Sequence, residues 1–309
     1  VLWHWWFNIS IPPILKKYNA KLFVSPDGFL SLNTKVPSLQ VIHDLNFEHF
    51  PEFLKASHSK YYRKYFPQFA QNAARIATVS EFSKQDISQT YNIPGSKIDV
   101  VYNDSHHFYQ PCTESEKETI KNKYTHGEDY FIFVSAFNTR KNIANLFRAF
   151  QLYQANNPES KIKLLMVGEK QYWNDEMENA YGSCNKNDIV FTGRLHVKEL
   201  SKVMAAAFAL LYVSKFEGFG IPIVEAMRCG VPVITSNITS MPEIAANAAL
   251  LVGPNSIEDI AKAMQRIIAE EALRNQLIQA GLERSDFFSW DKSAQLLWNS
   301  MLKITEPVT

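Results

Sequence analysis

Cysteine is scarce in this sequence, with three residues, Cys112, Cys184 and Cys229, among 309. They form no Cys-x-x-Cys pair and no metal-ligand spacing. That excludes a disulfide scaffold and favours a reducing, cytoplasmic setting. Charge of one sign is lacking too. Thirty-two basic against 31 acidic residues leave a net +1, so nothing calls for nucleic acid as a partner. Long apolar runs are missing: the longest, VMAAAFALLYV at 203–213, is too short to span a bilayer. No Asp-x-Asp pair, internal repeat or low-complexity tract occurs. The opening VLWHWWFN lacks the basic start and small-residue cleavage site of a signal peptide, and it lacks an initiator Met. A trimmed chain, or part of a longer one, is the expectation. What is present, 46% hydrophobic and 20% charged residues, fits a soluble globular protein whose length suggests two domains.

The second half alternates strand and helix. Short apolar runs at 130–135, 162–168, 188–193, 208–214, 231–235 and 249–253 predict buried parallel strands. Helical patterns separate several of them, which predicts a doubly wound sheet. The first half offers strands at 21–25, 39–44, 76–80 and 97–103, with helices at 58–74 and 81–91. Four strands make a thin, apparently N-terminally incomplete domain. The polar DSHHFYQPCTESEKE, with its proline, reads as the connector. The expected division is 1–112, 113–287 and a closing amphipathic helix in 288–309.

Ligands of open α/β sheets bind beyond the carboxyl ends of the strands. Three loops there carry chemistry. After 130–135, Arg140 and Lys141 stand where the strand hands over to a helix; fixed cations beside free helix N–H groups suit a phosphate, although loop cations are also commonly just solvated. After 188–193 comes Gly193-Arg194, where Arg194 could face a base or phosphate but a plain tight turn is the better reading. After 208–214 comes FEGFGIPIVEAMRCG. Glu217 lies in its loop, Gly218 and Gly220 admit close backbone approach, and Pro222 suits a helix start. Glu225 is expected near that helix's N-terminal turn, with both acids facing one crevice. A carboxylate so placed accepts hydrogen bonds from a vicinal diol. The alternative is a strand–turn–helix unit in which Glu225 offsets the helix dipole and Glu217 is solvated.

FEGFGIPIVEAM followed by VPVIT is similar to the Glu-x7-Glu signature of retaining nucleotide-sugar glycosyltransferases of family 4, which adopt the two-Rossmann-domain GT-B fold. FVSAFNTRKN resembles that family's diphosphate loop, and IVFTGRLHVKEL the element before its base pocket. SNITSMPEIAANAALLVGP, IHDLNFEHFPE, ATVSEFSKQDI and FFSWDKSAQLLW resemble further elements, so the likeness covers nearly the whole chain. It implies an α/β fold of two Rossmann-like domains facing a cleft, the closing helix crossing back onto the first. It implies that Glu225 holds the donor ribose, that Glu217 contacts the donor sugar, and that Gly218, Phe219 and Gly220 offer backbone amides. Arg140 and Lys141 would neutralise the leaving diphosphate, with Ser135, Gly193 and Arg194 on the donor side. His43 would face the donor sugar from the first domain. Asp44, Ser80, Ser83 and Lys84 would lie on the acceptor side. No metal and no cofactor are implied. Two departures stand out: Ser135 and Ala136 replace the family's usual Gly and Arg or Thr, and its first-domain Gly-rich loop has no match.

The function so implied is transfer of a sugar, mannosyl-like, from a nucleotide diphosphate to a glycan or lipid-linked acceptor with retention of configuration, in bacterial surface polysaccharide synthesis. Alternatives are an epimerase or phosphorylase of the same fold, or a non-catalytic nucleotide-sugar or glycan-binding protein. Trp3, Trp5, Trp6 and Phe7, near Lys16 and Lys17, suggest peripheral contact with the inner face of a membrane, or equally a packed first-domain core.

Overall fold

The computed structural model describes residues 2–306. It divides into two compact units, one built from the residues up to Asn103 and from Ser289 onward, the other Asp104–Phe288.

The first unit opens with α1 (Leu2–Trp5) and α2 (Ile11–Lys17), joined through a π-helical turn at Trp6–Ser10. Pro12 and Pro13 carry no N–H, so the turn before them loses its ordinary i→i−4 partners. Trp3 and Phe7 stack on Phe29, with ring centroids 5.3 and 5.6 Å apart, yet Trp3, like Trp5 and Trp6, stays exposed. A parallel sheet follows in the order β1 (Phe23–Ser25), β2 (Ser38–Ile42), β3 (Arg75–Thr78) and β4 (Ile98–Val100). Its register sets Val24 beside Leu39, Ile42 beside Thr78 and Thr78 beside Val100. Helices α3 (Asn46–His49), α4 (Ala56–Asn72) and α5 (Glu81–Tyr91) connect the strands. Their Phe47, Phe66, Phe69 and Ile87 bury against Ile42 and Ile76. Ser80 caps α5 by accepting from the Ser83 N–H at 3.0 Å, and Asn92 ends it in the left-handed region. The chain's last helix, Trp290–Thr305, belongs to this unit: Ser300 and Lys303 bond Asp99 at 2.8 and 2.7 Å.

The second unit holds a six-stranded parallel sheet: β5 (Tyr130–Val134), β6 (Lys163–Val167), β7 (Ile189–Gly193), β8 (Ala209–Tyr212), β9 (Val233–Ser236) and β10 (Ala249–Val252). Its order is β10-β9-β8-β5-β6-β7. The connecting helices are α6 (Glu114–Thr125), α7 (Ile143–Asn156), α8 (Asp175–Gly182), α9 (Val197–Ala205), α10 (Ile221–Arg228), α11 (Met241–Ala245), α12 (Ile257–Ala269) and α13 (Glu271–Ser285). Strands of continuous apolar residues, such as Phe131 to Phe133 and Leu164 to Met166, are buried on both faces, as a helix-covered parallel sheet requires. From β5 the chain winds outward through β6 and β7, then returns to add β8, β9 and β10 on the other side. The switch point lies between β5 and β8, and a ligand site belongs at the carboxyl ends of those two strands.

Residues 104–112, read from the sequence as the end of the first domain and part of a connector, pack within the second unit. Arg228 of α10 grips Asp104 through Nε and Nη2 at 3.1 and 2.9 Å, and Tyr109 is buried. The supposed connector then becomes α6, begun by a capping box between Thr113 and Glu116.

Candidate active site

At the switch point the loop after β5 makes a 3-10 turn, Thr139–Lys141. Asn138 caps it by accepting from the Lys141 N–H at 3.2 Å. Asn142 closes it at φ 61, a left-handed conformation that asparagine tolerates better than most residues. The Asn142 amide then donates to Val213 O at 2.9 Å and Pro254 O at 2.6 Å, tying the turn to the end of β8. A backbone bond from Lys215 N–H to Arg140 O, 2.8 Å, joins the two loops directly.

This scaffold brings three sequence-predicted residues together. Lys141 Nζ donates to Glu217 Oε1 at 2.6 Å and Arg140 Nη1 donates to Glu217 Oε2 at 2.8 Å. Arg140 Nη1 also reaches Phe216 O at 2.7 Å, and Lys141 Nζ reaches the Tyr212 hydroxyl at 2.7 Å. The Glu217 and Lys141 side chains are 7% and 9% exposed, so the triad is nearly dry. Burial alone would push the Glu217 carboxyl up; Lys141 and Arg140 beside it outweigh burial and hold it at about 2. The triad keeps a net charge of +1 in a setting of low dielectric.

The Gly-rich turn is fixed from behind. Ser240 Oγ donates to Glu217 O and Phe219 O at 2.9 and 3.0 Å, and Thr239 Oγ1 accepts from Glu217 N–H at 3.3 Å. The Phe219 side chain is buried edge-on against Phe288. Gly220 takes φ 99 at the start of α10, a region that a side chain makes costly.

Glu225 is carried by α10 itself. It falls in the second turn of α10, not the first, because the helix begins at Ile221. Offsetting the helix dipole is therefore not its role. It lines a cavity of about 450 Å³ with Tyr109, Ser135, Gly168, Glu169 and Arg194, among others. Burial pushes the Glu225 carboxyl up to about 7, and the neighbouring Tyr109 phenol opposes that rise. Gly193 has φ 69, and its carbonyl accepts from Gly168 N–H at 3.0 Å, holding the ends of β6 and β7 at the cavity rim.

The remaining candidates sit in the first unit. His43, at the end of β2, is exposed and its Nε2 lies 3.0 Å from Pro26 O. Asp44 accepts from Asn46 N–H at 2.9 Å, not from His43. Ser83 Oγ reaches His43 O at 3.4 Å and Ser80 Oγ at 3.1 Å, so His43, Ser80 and Ser83 form one cluster. Lys84 stands beside it, 4.0 Å from Glu81. Among the described residues, no group of three His, Cys, Asp or Glu side chains is placed to hold a metal ion, and no helix is long and apolar enough to cross a membrane.

The family model described as glycosyl transferases group 1 matches residues 114–284, more than half of the chain. The chain belongs to the glycosyl transferases group 1. A second model, glycosyltransferase family 4, matches residues 1–103 of this glycosyltransferase. It is 28% identical over 280 residues to O-antigen chain mannosyltransferase B of Escherichia coli, covering 90% of this chain and 73% of that protein. It is 28% identical over 227 residues to O-antigen chain mannosyltransferase RfbU of Salmonella typhimurium, covering 73% of this chain and 59% of that one. Over 185 residues it is 30% identical to the serotype-specific mannosyltransferase WbdA of Escherichia coli, of which it spans 22%. Among solved structures, a glycosyltransferase from Rickettsia africae matches with a TM-score of 0.75 at 18% identity, over 97% of this chain and 80% of that one. Anabaena HepE, solved with UDP and glucose, matches at 0.74 and 18% identity, over 94% and 82%. The fold is thus the GT-B class of two Rossmann-like domains. These matches do not favour the epimerase and phosphorylase alternatives.

Sequence reasoning missed several residues that this glycosyltransferase uses to build the site. Gly168 carried a signal, as a glycine ending a strand: a Cβ there would meet Ser135 O at 1.8 Å. Asn142 was visible as a polar residue opening a helix. Tyr212, Ser240 and Tyr109 carried none, since their partners are distant in the chain.

Proposed function

We propose that this glycosyltransferase moves a hexosyl group, mannosyl in type, from a nucleotide-diphosphate sugar to a glycan or lipid-linked acceptor in bacterial surface polysaccharide synthesis, with retention of configuration. The carrying observation is the Lys141–Glu217–Arg140 triad at the switch point of the second sheet. The named O-antigen mannosyltransferases support the acceptor class, and the HepE complex with UDP-glucose supports the donor class.

The chemistry follows from charge. Glu217, held at about 2, is ionised at any working pH. It accepts hydrogen bonds from sugar hydroxyls and has no proton to give. Its two oxygens are engaged by Lys141 and Arg140, which disfavours covalent attack on the anomeric carbon. Transfer therefore runs on one face. The C1–O bond to the diphosphate breaks and its electron pair stays on the phosphate oxygen. The acceptor oxygen bonds C1 from the same side, and its proton passes to the departing phosphate. Lys141 and Arg140 balance the developing charge without a metal, and preorganised cations in a dry site are effective at this. Glu225 takes the ribose diol. Gly218, Phe219 and Gly220 offer amides, and Ser135, Gly193 and Arg194 border the nucleotide. The first unit takes the acceptor, with His43, Asp44, Ser80, Ser83 and Lys84. Exposed Trp5 and Trp6, with Lys16 and Lys17, would meet an anionic lipid surface, which vesicle flotation tests.

The decisive experiment is a thermal-shift panel of UDP, GDP, ADP and their sugars. A ligand at a hundred times its dissociation constant stabilises by about 2.7 kcal/mol. No shift from any nucleotide overturns the donor site. Proton NMR of the product gives the anomeric outcome, and an inverted product overturns the one-face mechanism.

A further inference from the structure

The loop that follows β6 closes a three-residue turn, in which Gln171 N–H donates to Glu169 O at 2.9 Å and Lys170 takes the corner. The turn is stitched to the loop after β5: Phe137 N–H donates to Glu169 O at 2.9 Å, and Tyr172 N–H to Phe137 O at 3.1 Å. From the corner Lys170 runs into a box of rings. Its Nζ stands 4.1 Å from the ring centre of Trp173, 4.4 Å from that of Phe191 on β7 and 5.4 Å from that of Tyr181 on α8. Trp173 is held in turn, its Nε1 donating to Glu178 Oε2 at 2.6 Å. The lysine beside Glu169 in the chain therefore lends its charge to aromatic faces. Among the described residues, Glu169 enters no ion pair; its Oε2 accepts from Gln171 Nε2 at 3.2 Å. These two joined side chains belong to the lining of the cavity that holds Glu225. From this arrangement we infer that Glu169 and Gln171 read the base of the donor, that the base they fit is guanine, and that Lys170 is the positioning residue that holds them for it. The inference rests on the reading of this cavity as the nucleotide site.

The choice of base follows from counting donors and acceptors. A carboxylate only accepts, and a carboxamide accepts through its oxygen. The bond between the pair leaves Glu169 Oε1 and Gln171 Oε1 without a hydrogen bond among the described residues. Two neighbouring acceptors suit a base edge that carries two neighbouring donors. Guanine has such an edge, N1–H beside the 2-amino group. Uracil sets its N3–H between two carbonyl oxygens, which a carboxylate repels. Adenine and cytosine each set an amino group beside an unprotonated ring nitrogen, one more acceptor. A site built to accept two bonds rejects a base that can give only one, because its own polar groups are then left unpaired. Lys170 matters for the same reason. A lysine free to swing back onto Glu169 would fill the acceptors that the base needs, and the aromatic box keeps it away.

Titration calorimetry on the whole chain tests this with GDP, IDP, UDP and ADP. IDP is GDP without the 2-amino group, so the pair isolates a single hydrogen bond while phosphates and ribose stay the same. GDP should bind about tenfold more tightly than IDP, the worth of one hydrogen bond to a charged group, and more tightly than UDP or ADP. Glu169→Ala should erase the difference between GDP and IDP. Lys170→Met should narrow it to about threefold or less, and Lys170→Arg, which keeps a cation over the rings, should restore it. Restoration by arginine is an outcome that a merely structural lysine does not require. If GDP and IDP bind the wild type equally, the base reading is overturned and the donor site stands, since nucleotides still bind. A preference that survives Glu169→Ala overturns it too, and one that survives Lys170→Met removes Lys170 from it. Binding of no nucleotide at all defeats the donor site and this inference with it. The wild-type comparison of GDP with IDP needs no variant to fold.

Discussion

Replacing Lys141 by methionine removes one cation from the triad and keeps most of the side chain's bulk. At 2.6 Å, opposite unit charges attract by about 6 kcal/mol at an effective dielectric near 20. Desolvating both groups offsets much of this. Breaking a buried pair by removing one partner costs about 3–5 kcal/mol, chiefly through the charge left behind. Here Glu217 keeps Arg140 at 2.8 Å, which puts the expected loss near the lower end, about 3 kcal/mol. The double variant Lys141→Met/Glu217→Gln no longer buries a poorly compensated carboxylate. It should recover about 1–3 kcal/mol relative to the sum of the single losses, the coupling usual for side chains in contact. Urea unfolding of the wild type, the two single variants and the double variant gives this cycle, read from midpoints at constant slope. Donor affinity should not recover in the double variant, because the phosphate-facing cation is still absent. Single losses that simply add would refute the buried-triad energetics. Wild-type donor binding by the double variant would refute Lys141 as a phosphate partner.

On the acid side, Glu217 is depressed from 4.5 to about 2, so its contribution is complete above 4.5 and disappears as pH falls to 2. That loss amounts to about 3 kcal/mol, and an acid-unfolding series should show it in the wild type and not in Glu217→Gln. Gly168→Ala should abolish the nucleotide thermal shift and lower the melting temperature, since its φ of 145 and a 1.8 Å approach to Ser135 O leave a Cβ no room. Arg228→Met leaves the buried Asp104 without its guanidinium, and calorimetry should show a loss of about 2 kcal/mol. By contrast, Glu270→Ala breaks an exposed, solvent-screened i,i+4 pair with Arg266 and should leave the urea midpoint almost unmoved.

Residues that obey a short-range rule were readable. The strands at 130–134 and 164–167 are unbroken apolar runs, which only a sheet covered on both faces accommodates, and α5 begins at a serine that caps it. The triad was half readable: Arg140, Lys141 and Glu217 were singled out one by one, but their mutual pairing depends on β5 and β8 being neighbours, which sequence spacing does not reveal. Helix α6 was misread although Thr113 and Glu116 spell a capping box, because the polar run before it dominated the impression of a connector. Tyr109 was beyond reach. Its place on the cavity wall arises from packing between segments far apart in the chain, which also pairs Asp104 with Arg228.

The two glutamates of the Gly-rich turn separate for one physical reason. Glu217 is buried and Glu225 half-buried on a cavity wall, and burial by itself raises any carboxyl. Glu217 meets two cations within 2.8 Å and falls to about 2, whereas Glu225 meets a phenol and rises to about 7. Their effects on stability then oppose each other: Glu217 contributes above 4.5, while Glu225, raised, contributes below 4.5 and loses that contribution as pH climbs to 7. A diol arriving at Glu225 supplies the hydrogen bonds that burial withheld, so ribose binding should release a proton near neutral pH. A sugar hydroxyl arriving at Glu217 meets an anion already formed and should release none. Calorimetry in buffers of different ionisation enthalpy separates the two. Proton release with a nucleoside, which carries the diol and no titrating phosphate, undiminished in Glu217→Gln and absent in Glu225→Gln, is the outcome that this division of roles requires.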